Sequence, residues 1–438
     1  MRVLEWKMLS TEERRAALGR PALRDGARII NAARRIIDAV RERGDAALVE
    51  FTETYDGVAL GAEELEVGAA EFAAAEQALL PAQHAAIERA IGTVHRFHSA
   101  LVGADVRIET APGVVCERIS VPIRAVGLYV PAGTAPLPST AIMLAVPAAI
   151  ARCPVRVLCT PPRPDGRADP AVLVAARKAG VEQVYKVGGA QAVAAMAYGT
   201  ASIAKCDKIF GPGNAWVAAA KLLVAGDAAG AAADLPAGVS EVLVIADTSA
   251  NPAFVAADLL AQAEHSVDAQ ALLVTDSAAL AAAVAAELAR QRTLLSRSVI
   301  LAASVANVRL IVVESLDAAF AVANEYAPEH LLLQVRNPRQ WLARVTAAGA
   351  VFLGNWSPET IGDYCGGPNH TLPTYGYARC YSGLSLEDFQ KKITVQELSP
   401  AGLQGLGPTA LTLAGLEGLD GHAAAVTVRL RALGGPSA

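Results

Sequence analysis

The stretch Ala125-Val126-Gly127-Leu128-Tyr129-Val130-Pro131-Ala132-Gly133-Thr134 decides how the chain is read. Six residues suited to a buried strand run into a Pro-Ala-Gly-Thr turn, and residues 142–150 then have the length and composition of a helix. A strand that turns through glycine into a helix is the repeating unit of parallel α/β folds. The alternation continues C-terminally. Residues 155–159, 183–187 and 208–210 read as strands, and 171–179, 190–198 and 215–224 as helices. Glycine turns at Gly188-Gly189, at Gly211-Pro212-Gly213-Asn214 and around Gly133 close three of the strands. Such turns let backbone amides at a helix start approach a phosphate, and they equally serve as plain tight turns; none is a GxGxxG.

A second alternating region predicts strands over 241–246, 271–275, 309–313, 331–334 and 351–354, with helices over 252–263, 278–290, 316–324 and 338–347. Two α/β lobes with a ligand between them are the expected architecture. The fold class is α/β: two Rossmann-like lobes with parallel sheets, each an incomplete Rossmann fold, plus small helical N- and C-terminal arms. Toward the N-terminus, residues 27–49 and 70–101 carry apolar residues at helical spacing, with a break at Gly44, and residues 1–20 read as a polar, partly helical arm. After Arg379 the alternation stops, and residues 381–438 read as two short helices that must dock on something.

The 438 residues are 53% apolar, enough for a large core, and the net charge of −5 argues against nucleic-acid and anionic-membrane partners. The opening Met1–Lys7 lacks a charged-then-apolar signal pattern, and no apolar run of spanning length occurs, so a cytoplasmic location is expected. The six cysteines form no CxxC pair and read as reduced thiols.

The loop 362–374 packs Asp363, Cys365, His370, three glycines and two prolines into thirteen residues behind an apolar run, 350–353, that reads as a buried strand. Loops after strands are where α/β proteins keep their chemistry. Cys365 is either a reactive thiol or, more commonly, a bystander. Gln262 and His265, three apart at the end of a helix, share a face. With Asp363 and His422 they make a set of one amide oxygen, one carboxylate and two imidazoles that suits zinc; singly, each also reads as a capping or core polar group. Glu329-His330 opens a strand, where neighbours point to opposite faces, and suits two separate proton transfers or a plain surface pair. His95 and His98, one turn apart, read as a solvated helix face rather than half of a metal site.

Together these motifs resemble the histidinol dehydrogenase family. The likeness is carried by residues 128–131, 186–192, 210–214, 240–242, 262–265, 327–331, 362–374, 394–399 and 417–423, across nearly the whole chain. It implies oxidation of L-histidinol to L-histidine through the aldehyde, with two NAD and one zinc per subunit. The implied zinc ligands are Gln262, His265, Asp363 and His422, the last from the partner subunit of a homodimer. His330 is implied as the general base and Glu329 as the group that activates water. Ser240, His370 and Glu417 match substrate-binding positions alongside His330 and the four zinc ligands, and Tyr129, Gln191 and Asn214 match NAD-binding positions.

The implied domains are an N-terminal arm over 1–20, a discontinuous α/β domain over 21–127 and 238–380 carrying the metal and catalytic residues, an NAD-binding domain over 128–237, and a C-terminal arm over 381–438 docking on the partner. Ala132, Trp216, Val239 and Leu332 depart from the family's usual residues, and none replaces an implied ligand or catalytic group. A related zinc- and NAD-dependent dehydrogenase of another small polar alcohol, a zinc hydrolase and a non-catalytic binding protein are the competing readings.

Overall fold

The computed structural model describes residues 2–20, 26–132, 135–236 and 238–434. The turn expected around Gly133 lies outside them. The chain forms two compact units, Met1–Ala100 with Ile123–Phe389 and Leu101–Pro122 with Gln390–Ala438.

The first unit holds two parallel sheets. The larger has the order Arg2–Glu5, Val308–Val312, Gln270–Thr275, Glu241–Ala246, His330–Gln334, Ala350–Leu353. Its central strand, Glu-Val-Leu-Val-Ile-Ala, is buried throughout, as expected of a parallel strand covered on both faces. The helix Pro252–Ala263 packs on it; Pro252 sits at the first helical position, and the Asn251 side chain accepts from the amide of Ala253. The smaller sheet has the order Gln183–Lys186, Val155–Thr160, Ala125–Tyr129, Lys208–Phe210, Ala232–Ala233. Its central strand and the helix behind it, Pro138–Ile150, supply the densest part of the core. The α/β class with parallel sheets therefore stands.

The second unit carries an antiparallel sheet, Gln390–Leu398, Val114–Pro122 and Val106–Ala111, followed by helices Pro400–Glu417 and Asp420–Ala432.

Three expectations need correction. The N-terminal arm contributes an edge strand, Arg2 pairing with Arg309; four residues are too few to display a period. The C-terminal segment carries a nine-residue strand, Gln390–Leu398, before its helices. That strand is mostly exposed, with Lys391, Lys392 and Glu397 on it, so no buried apolar alternation marked it. Residue His98 is buried with neither ring nitrogen hydrogen-bonded, so the solvated face expected of His95 and His98 applies only to His95.

Candidate active site

His330 is the first residue of its strand, and Glu241 is the first residue of the strand beside it. The ring Nδ1 of His330 lies 3.1 Å from the carbonyl oxygen of Glu241. A carbonyl only accepts, so Nδ1 carries a proton, and Nε2 is the nitrogen at which a proton can be gained or lost. That Nε2 faces Asp363 Oδ1 at 3.5 Å. The amide of Glu241 donates to Glu329 Oε2 at 2.8 Å, and the same oxygen is 3.7 Å from His330 Nδ1. Glu329 and His330 were expected to point apart; instead both are tied to the backbone of one residue of the neighbouring strand, Glu329 to the Glu241 amide and His330 to the Glu241 carbonyl. Glu329 precedes the regular strand, so period-2 alternation does not govern it.

Asp363 was expected in a loop and lies on a short helix, Glu359–Tyr364. Gly362 lets that helix sit against the sheet, since a Cβ there would come within 2.5 Å of the Phe352 ring. The helix also brings Glu359, whose Oε1 is 3.6 Å from His330 Nδ1 and whose side chain is almost wholly buried. Sequence reasoning missed Glu359, because a glutamate in the first turn of a helix ordinarily faces water. It also gave no role to Glu241, although an acid heading an otherwise apolar buried strand was a visible signal. The third omission is Arg20, whose guanidinium donates to both Glu241 oxygens at 2.5 and 2.8 Å and stacks over the Tyr326 ring. The backbone amide of Tyr375 also donates to Glu241, at 2.9 Å.

Burial disfavours a charged His330, but Glu359, Glu329 and Asp363 together outweigh it and hold its pKa well above the ordinary value. Burial pushes Glu329 up to about 8 against the pull of His330. Burial likewise raises Glu359 well above the carboxylate range. Asp363 moves the other way: burial opposes its ionisation, yet the imidazoles of His330, His370 and His265 lower its pKa. Groups pushed apart in this way are what acid–base chemistry requires.

Gln262 and His265 meet at the end of the helix Pro252–Ala263, with Gln262 Nε2 donating to His265 Nδ1 at 3.0 Å. Gln262 Oε1 is buried and has no partner among the described residues, which is the state of an acceptor awaiting a cation. Burial lowers the His265 pKa, so the ring is neutral and can act as a ligand, while the charge of Asp363 reaches it. The donor set at Gln262, His265 and Asp363 therefore fits a borderline metal ion. A second grouping also has metal-site spacing: ligand atoms of His330, Glu359 and Asp363 lie within 4.8 Å of one another.

His370 Nδ1 donates to the Asp363 carbonyl at 2.8 Å, and its Nε2 accepts from the Thr140 hydroxyl at 3.2 Å. Ser240 sits immediately before the Glu241 strand, half-buried. Cys365 is half-buried against the core, with a free thiol. Glu417 and His422 are exposed and belong to the second unit, at the end of one helix and in the first turn of the next.

The three expected nucleotide positions lie at the carboxyl ends of the smaller sheet. The Tyr129 hydroxyl accepts from the amide of Gly189 at 3.0 Å, and Gln191 is buried two residues further into the same helix. Asn214 caps the helix Ala215–Ala225, accepting from the amides of Trp216 and Val217. Gly211 has φ +121°, and a Cβ there would lie 2.2 Å from the Tyr129 carbonyl oxygen, so only glycine fits. Open helix N-termini beside glycine turns are where nucleotide phosphates bind.

The sequence was compared with known proteins. The family model described as histidinol dehydrogenase matches residues 20–430. A histidinol dehydrogenase of Xanthomonas axonopodis pv. citri is 56% identical over 430 residues, covering 98% of this chain and 99% of that protein. One of Vibrio parahaemolyticus is 51% identical over 433 residues, covering 99% of each. The crystal structure of histidinol dehydrogenase from Elizabethkingia anophelis superimposes with a TM-score of 0.93 at 41% identity, over 99% of this chain and 98% of that one.

Proposed function

The chain belongs to the histidinol dehydrogenase family, and from that membership we propose that it oxidises L-histidinol to L-histidine in two successive steps, through L-histidinaldehyde, with NAD as oxidant and one zinc ion per subunit. The observation that carries the reading is the His330 cluster: a buried imidazole with its tautomer fixed by Glu241 and its free nitrogen turned toward Asp363. Bound NAD would supply the hydride acceptor, and zinc held by Gln262, His265, Asp363 and His422 would supply a Lewis acid that orients the substrate.

The chain's own residues do the rest. His330 Nε2 removes the proton of the carbinol hydroxyl and serves again when the hydrated aldehyde is oxidised. Glu329, whose pKa burial raises to about 8, draws the proton, in its ionised form, from the water that adds to the aldehyde. Ser240, His370 and Glu417 position the substrate, and Gln262, His265, Asp363 and His422 hold the ion. Tyr129, Gln191 and Asn214 hold NAD within a domain over 128–237. The discontinuous region 21–127 and 238–380 carries the catalytic groups.

Exposure of Glu417 and His422, with the exposed apolar residues Leu413, Leu416, Leu419 and Val428 around them, supports a C-terminal arm that completes the site of a homodimer partner. Among the described residues no helix is long and apolar enough to cross a membrane. The proposed setting is histidine biosynthesis in the cytoplasm.

The test is NADH formation from L-histidinol and NAD, with and without a chelator. Absence of NADH with zinc-loaded protein would overturn the reading. The His330, Glu359 and Asp363 spacing favours a second placement of the metal, in which His330 is a ligand instead of a base.

A further inference from the structure

Asp56 lies outside the catalytic cluster and none of the roles above uses it. It ends a turn of π-helix, Thr52–Asp56, a conformation frequent at functional sites, and is followed by Gly57 in the left-handed region. Its Oδ2 is buried and has no hydrogen-bond partner among the described residues. Burial raises its pKa to about 6, so at neutral pH the group is an ionised carboxylate with one oxygen, Oδ2, lacking a donor. An oxygen in that state is either a cost the fold tolerates or an acceptor kept for a ligand.

Its surroundings favour a ligand. Asp56 Oδ1 lies 3.4 Å from where a Cβ on Gly188 would stand, and Gly188 caps the helix Gly189–Tyr198. The carboxylate also acts electrostatically on the Tyr129 hydroxyl, which accepts from Gly189. Gln191 Oε1 lies 2.8 Å from where a Cβ on Gly189 would stand. Asp56, Tyr129, Gln191 and the Gly188-Gly189 turn thus converge at the carboxyl ends of strands Ala125–Tyr129 and Gln183–Lys186.

We infer that Asp56 accepts the ribose hydroxyls of the nicotinamide nucleotide and selects NAD over its 2′-phosphorylated form. The inference rests on the NAD reading of this turn given above. A vicinal diol offers two O–H donors, which a carboxylate can accept together, and charge-assisted bonds of this kind are the stronger sort. A carboxylate beside a dinucleotide-binding glycine turn ordinarily takes a ribose hydroxyl in this way. A 2′-phosphate would instead place nearly two negative charges against a half-buried carboxylate.

The experiment is calorimetric titration of the full chain, without histidinol, using NADH and NADPH as probes against wild type, Asp56→Asn and Asp56→Ser. Wild type is expected to bind NADPH at least about tenfold more weakly than NADH. Both variants are expected to lose about tenfold in NADH affinity, or about 1.4 kcal/mol, and to bind the two nucleotides nearly equally. Their apo melting temperatures should stay at or above that of wild type, since an unpartnered buried charge has been removed. This readout separates a lost ligand contact from a damaged fold. Wild type that binds NADH, with both folded variants binding it equally well, would overturn the ribose contact alone. Equal affinity of wild type for NADH and NADPH would overturn the selection. Wild type that binds neither nucleotide would overturn the NAD reading and this inference with it.

Discussion

His330 Nδ1 stands 3.1 Å from the carbonyl oxygen of Glu241, and this one contact fixes which nitrogen of the imidazole can take a proton. The strand pairing enforces it, because His330 is in register with Val242, one residue beyond Glu241. Nε2 is left toward Asp363, the side on which a metal-held substrate would lie.

Replacing His330 with Asn is expected to lower the rate of both oxidations by about 10²-fold or more, the usual worth of a positioned base. Zinc content by atomic absorption should stay at one per chain. Loss of the ion together with activity would instead assign His330 as a ligand, as its spacing with Glu359 and Asp363 also allows.

Glu359 raises the proton affinity of His330 from 3.6 Å. In Glu359→Gln that contribution is gone, so the imidazole deprotonates at lower pH. The rising limb of the kcat/KM profile, which reports the free enzyme's base, should move toward acid. An unmoved limb would show that Glu359 does not act on the base.

Arg20 neutralises a glutamate that is only 1% exposed. Arg20→Ala leaves Glu241 charged and unpaired in the core, and denaturant unfolding should show a loss of about 3–5 kcal/mol. The double variant Arg20→Ala, Glu241→Gln removes the orphaned charge and should recover a large part of it. No recovery would mean that the ion pair is not the source of the loss.

Asp258 is buried beside Gln334, which donates to it at 2.6 Å, and burial raises its pKa from 3.8 to about 7. The folded state therefore keeps a proton that the unfolded state releases. Stability from this group is full below about pH 4 and falls as pH rises toward 7. Asp258→Asn carries no such charge. Its stability relative to wild type should grow across that window by at most about 4 kcal/mol and level off above it. A constant difference from pH 4 to 8 would contradict the shift.

Shared sites across a dimer make a separate prediction. Chains carrying His422→Ala and chains carrying Asp363→Ala are each expected to be inactive, and mixing them should restore part of the activity. Verified hybrid dimers with no recovery would show that each site is built from one chain.

The sequence carried much of this. The strands over 125–130, 155–159, 183–187, 241–246 and 271–275 were legible because a parallel strand buried on both faces is a nearly continuous apolar run, and the glycine turns after them need no partner to be seen. Gln262, His265, Asp363, Glu329 and His330 stood out because polar groups that interrupt apolar segments are uncommon. The strand Gln390–Leu398 was not legible, since its pairing with Val114–Pro122 spans some 270 residues and its own faces are mostly wet.

What the sequence determined by itself was therefore the α/β class, the family likeness and the residue types of the site. Local periodicity and a short list of unusual polar residues suffice for those. Only the tertiary structure decided which atoms act. It put Asp363 on a helix together with Glu359, aimed Glu329 and His330 at the backbone of the same residue, and brought in Glu241 and Arg20 from distant segments. Burial and proximity among these groups, which set their proton affinities, arise from packing between segments and have no signature in the order of residues along the chain.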